Sequence, residues 1–131
     1  MASRRCVIQK IELFSELPSL NEYSNAERTH RKKGATMKRR AERSLITEIH
    51  AARLKPVKDQ VFLSYHWIMK DKRKDKDNIA FAQKFVQDAL VGAGILANDG
   101  WKEVEGFSHR FSVDKETPRL ILKIEEVGNV S

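Results

Sequence analysis

Between residues 79 and 93, apolar side chains return at helical spacing: Ile79, Ala82, Val86, Ala89, Leu90 and Ala93. Gly92 and Gly94 close the run. A helix with one apolar stripe has to bury that stripe against another element. The flanking sequence supplies a sheet. Upstream, Val61-Phe62-Leu63-Ser64-Tyr65-His66-Trp67-Ile68 is dense in β-formers, as a central strand would be. Downstream, Val104, Phe107, His109, Phe111 and Val113 line one strand and Leu120, Leu122 and Ile124 the next. The loop at residues 114–118 between them predicts a hairpin.

The N-terminal half completes the pattern. Residues 6–17 mix β-branched and polar side chains and read as a first strand, ended by Pro18 and Ser19. A turn-rich stretch follows. Met37, Ala41, Leu45, Ile49 and Ala52 then mark a helix over residues 26–54, with a break near Gly34. Asp77 stands at the N-cap of the later helix, over residues 78–91. The expected fold is a single α+β domain over residues 1–131, in the order β-α-β-α-β-β. About four strands form a small mixed sheet, and two main helices pack on one face.

Net charge is +7, and 13 of the 25 basic residues fall in two segments. One holds Arg28, Arg31, Lys32, Lys33, Lys38, Arg39, Arg40 and Arg43. The other holds Lys70, Lys72, Arg73, Lys74 and Lys76. Such one-signed clusters suit a polyanion, and contact with phosphate is the expected role of the early basic helix. The single Cys6 cannot form an internal disulfide. No signal peptide and no apolar stretch long enough to span a bilayer is apparent, which points to the cytoplasm and away from membranes.

Asp75 and Asp77 lie two apart in an expected extended approach to the helix, with their carboxylates on one side. Like charges held together call for a cation, and hard oxygen donors suit Mg²⁺ or Mn²⁺. Asp99, in the turn Asn98-Asp99-Gly100, supplies a third oxygen if that turn folds back beside the helix start. The simpler alternative is a helix cap and a common turn, with no metal. The five cations around Asp75 and Asp77 weigh against it, because a cap has no need of them and a phosphodiester held near a metal does.

Taken in order, Pro18-Ser19-Leu20-Asn21-Glu22-Tyr23, Lys74-Asp75-Lys76-Asp77-Asn78, Asp88-Ala89-Leu90 and Asn98-Asp99 resemble the RusA-type Holliday junction resolvases common in phages and prophages. The resemblance covers most of the chain. It implies a RusA-like fold and a homodimeric endodeoxyribonuclease that resolves four-way DNA junctions in recombination and repair by paired phosphodiester hydrolysis. Asp75, Asp77 and Asp99 would hold Mg²⁺, with Mn²⁺ as a substitute. Lys84 matches the family's helix lysine when counted back from Asp88, but not when counted forward from Asp77. Some members carry Asp where this chain has Asn98. On this reading Arg31, Lys32, Lys33, Lys38, Arg39, Lys72, Arg73, Lys74 and Lys76 grip DNA. The rival readings are a non-catalytic basic DNA-binding module and a nuclease for other branched DNA or RNA.

Lys84 and Asp88 are spaced for a helical ion pair worth a few tenths of a kcal/mol. Asp88 lies three turns beyond Asp77, roughly 16 Å along a helix, too far to share its metal. Its expected role is structural. The four histidines show no ligand spacing and no grouping for acyl transfer. Trp67, Trp101 and Phe107 read as core or interface residues rather than base-stacking ones.

Overall fold

The computed structural model describes residues 2–130. Its elements are β1 (Ala2–Leu13), α1 (Leu20–Thr29), α2 (Arg31–Ala51), β2 (Val61–Met69), α3 (Lys76–Ala80), α4 (Gln83–Gly92), β3 (Val104–Val113) and β4 (Arg119–Val130). The α+β class and the four-stranded mixed sheet agree with expectation. The strand order is β1-β4-β2-β3, with β4 antiparallel to both β1 and β2, and β3 parallel to β2.

β3 and β4 are therefore not a hairpin. β2 lies between them, and the loop at residues 114–118 crosses its end, tied down where Asp114 N–H donates to Met69 C=O at 2.8 Å. The Asp114 carboxylate folds that loop by accepting from Glu116 N–H, Thr117 N–H and Thr117 Oγ1–H. Alternation records which face a residue takes and leaves open which strand lies alongside.

The inward residues of the sheet include Ile11 and Leu13 of β1, Leu120, Leu122 and Ile124 of β4, and Leu63 and Tyr65 of β2. They share one core with Leu45 and Ile49 of α2 and Phe85, Val86, Ala89 and Leu90 of α4. β1 stops earlier than expected because Glu48 of α2 claims the next backbone donors. Phe14 N–H and Ser15 N–H donate to its carboxylate at 2.7 and 2.8 Å, and Ser15 Oγ donates to it as well.

The expected single helix over residues 26–54 is two helices that break at His30, not Gly34. His30 is extended (φ −164°, ψ 131°), and its Nδ1 accepts from Lys32 N–H to cap α2. Gly34 instead lets α1 approach, since a Cβ there would lie 2.5 Å from Glu27 Cγ. α1 begins at Leu20, inside the stretch read as turn. Ser19 and Glu22 form a reciprocal capping box that satisfies the first orphan N–H groups.

The later helix also divides. Ile79, Ala82 and Phe85 are buried at three-residue intervals, and Ala82, Lys84 and Phe85 donate three residues back, so the chain tightens at the junction of α3 and α4 before α4 resumes the wider turn. Its end matches the glycine signal. Gly94 (φ +80°) is the left-handed residue, with Ile95 N–H donating to Leu90 C=O and Gly94 N–H to Val91 C=O.

Candidate active site

The chain leaves β2 at Met69 through residues 70–75, where Asp71 accepts from Arg73 N–H at 3.0 Å and faces Arg73 Nε at 3.7 Å. Asp75, not Asp77, is the N-cap of α3. It is extended, and its carbonyl accepts from Ile79 N–H, while its side chain makes no capping hydrogen bond. Asp77 already lies in the first helical turn and accepts from Asn78 N–H at 2.9 Å. The strand alternation that placed both carboxylates on one side thus does not apply. Both side chains are exposed, and among the described residues neither has an ion-pair partner.

Several contacts fix the start of α3. Asn21 N–H, at the head of α1, donates to Asn78 Oδ1 at 2.9 Å across 57 residues. Lys74 Nζ donates to Glu22 at 2.8 Å, and this bond, with the Ser19 contacts, holds the Glu22 carboxyl below its ordinary pKa. Tyr23 packs against Phe81 and Phe85, with ring centroids 5.5 and 5.8 Å away. The early loop segment and the Asp-x-Asp-Asn segment are thereby neighbours.

Glu22 also joins the two basic clusters. It lines a 670 Å³ cavity together with Lys32, Lys33 and Arg40, while its carboxylate holds Lys74. Arg31, Lys32, Lys33, Arg39, Lys72, Arg73, Lys74 and Lys76 are exposed. Lys38 is engaged elsewhere, 3.5 Å from Asp88 and 3.8 Å from Glu42. Asp88 thus pins α4 to α2 and does not pair with Lys84, which is exposed and has no ion-pair partner among the described residues.

After α4 comes the Asn98-Asp99-Gly100 turn. Asp99 N–H donates to Asn98 Oδ1, and the Asp99 carboxylate reinforces the burial that pushes the Tyr65 phenol pKa up. The Tyr65 hydroxyl is buried, with no hydrogen-bond partner among the described residues. No group of three or more His, Cys, Asp or Glu side chains among those residues is arranged to hold a metal ion. The three aspartates carry suitable hard oxygen donors but do not form such a group.

Tyr65 belongs to an aromatic cluster of which the histidine pattern gave no hint. Tyr65 stacks on Trp67 and His109, with centroids 5.6 and 5.1 Å away. Trp67 Nε1–H donates to His109 Nδ1 at 2.9 Å, which leaves His109 Nε2–H to face Gln83 Oε1 at 3.0 Å in the neutral tautomer. Burial lowers the His109 pKa in keeping with that state. Phe107 and Phe111 flank His109 on β3, and Lys76 Nζ lies 5.8 Å from the Phe111 ring centroid. Trp67 lies in the core, while Trp101 (97% exposed) and Phe107 (51% exposed) lie outside it.

No family model and no curated protein matches the chain. Among the described residues no helix is long and apolar enough to cross a membrane.

Proposed function

We propose that this chain is a metal-dependent, structure-selective endodeoxyribonuclease of RusA type, which acts as a cytoplasmic homodimer on four-way DNA junctions in recombination and repair. The observation that carries this reading is the hydrogen bond from Asn21 N–H to Asn78 Oδ1. It joins, across 57 residues, the two segments on which the family resemblance chiefly rests. Exposed, unpaired Asp75 and Asp77 beside exposed Lys72, Arg73, Lys74 and Lys76 add support, because free carboxylates amid cations suit a phosphodiester substrate better than a plain cap does. Asp75 and Asp77, with Asp99 as the third donor, would hold Mg²⁺ or Mn²⁺. That ion would supply Lewis-acid activation of phosphate and water. The basic residues bind and orient the backbone and give salt-sensitive affinity with little sequence reading. Lys84, exposed on α4, is the proposed fourth catalytic group.

That no three His, Cys, Asp or Glu side chains among the described residues are arranged to hold a metal favours a second reading, a basic DNA-binding module without cleavage. One experiment decides. A labelled four-way junction and a linear duplex are incubated with protein and Mg²⁺, beside Asp77→Asn. The nuclease reading expects junction cutting that falls at least about a hundredfold in the variant, the scale of losing metal-supplied transition-state stabilisation, with junction binding retained. Binding without any metal-dependent nicking leaves the module.

A further inference from the structure

We propose that Phe107, His109 and Phe111 form a platform on which nucleobases left unpaired at the DNA branch stack, next to the candidate active site. The proposal rests on the nuclease reading for the choice of DNA, and it names what that site recognises besides phosphate.

Alternate residues of one strand stand on one face, so three consecutive inward positions of β3 present a row of rings. Neighbouring centroids along the row are 5.7 and 6.2 Å apart. β3 is an edge strand, and the row is only partly covered, Phe107 being half exposed. The central ring is also held in place. His109 is fixed at both nitrogens by Trp67 and Gln83, and Gln83 is itself steadied by Gln87 at 2.7 Å. A preset aromatic surface loses little freedom when a base lands on it.

Charge selects the occupant. Lys76 stands over Phe111 and belongs to the exposed cationic run that follows β2, so a base on the row has its phosphates beside ammonium and guanidinium groups. Aromatic stacking with a basic flank is the usual means of holding single-stranded nucleic acid, and it tolerates any base because each has a π-face. A base stacked inside a duplex cannot reach such a row, whereas an unpaired one can. A second copy of the chain fits less well, because an apolar partner would bury the Lys76 charge without a counter-ion.

The test uses oligonucleotides carrying 2-aminopurine, in EDTA so that nothing is cut: a single strand, a duplex and a four-way junction with the probe at the crossover. Wild-type protein is expected to quench the single strand and the junction, but not the duplex. Phe107→Ala should remove most of that quenching and weaken single-strand binding by roughly tenfold, the range of one lost base stack. Phe107→Tyr should restore both, and duplex affinity should stay within about twofold throughout. Thermal melts check that the variants fold, as a half-exposed ring permits. Unchanged quenching and affinity in Phe107→Ala would overturn the platform, as would a wild-type dimer in sedimentation that Phe107→Ala dissociates. Junction cutting in Mg²⁺ is read separately. Cutting without quenching sinks the platform and spares the nuclease, and quenching without cutting does the reverse.

Discussion

The inward residues of β4, Leu120, Leu122 and Ile124, are at most 4% exposed, whereas on β3 the same alternation leaves Phe107 and Val113 about half exposed. Helix coverage makes the difference. α2 and α4 contribute side chains to the core over β1, β4 and β2. At β3, His109 and Phe111 meet the polar side chains of Gln83 and Lys76. One half of the sheet is a dry core, and the other is a ledge whose aromatic row and neutral histidine are partly open to solvent. A period of two therefore specifies a face without specifying whether that face is closed.

That contrast can be broken experimentally. Leu122→Ala should destabilise the fold by about 2–5 kcal/mol in chemical denaturation, since it leaves a cavity in a closed core. Phe107→Ala in the same assay should cost less than half as much. Equal costs would mean that β3 is core after all. Glu48→Ala should be intermediate, about 1–2 kcal/mol, because it releases backbone donors at the end of β1 that retain partial access to water.

The smallest effect expected is with pH. The His109 pKa is lowered by burial from its ordinary value near 6.5, so below that pH the unfolded chain binds a proton that the folded chain refuses. Stability should fall as pH drops below 6.5. His66 shifts in the same direction, through burial and then Arg110, Arg119 and Lys123, so the informative quantity is the part of the slope that His109→Gln removes. An unchanged slope in that variant would show that the ledge histidine titrates as it does in water.

The sequence made the central strand, the apolar stripe of α4 and its glycine stop legible, because each is a local pattern with one physical solution. The start of α1 was not read, because the turn-forming residues of Ser19-Leu20-Asn21-Glu22 masked the capping box. The pairing of β3 and the break between α3 and α4 were not legible, since both depend on what the chain packs against. For the aspartates, sequence located the carboxylates and their basic setting. The hydrogen bond from Trp67 to His109 follows from parallel pairing of β2 with β3 and lies beyond any spacing rule.

Because the loop after β3 crosses the end of β2, β3 has no strand partner nearby in the chain. Its ladder partner is β2, and Trp67 and His109 are 42 residues apart. A hairpin could zip from its turn, but this pairing first requires closing the long segment that contains α3 and α4. The ledge is thus bound to the order of folding: β2 and the helices must be in place before the row of rings has anywhere to dock.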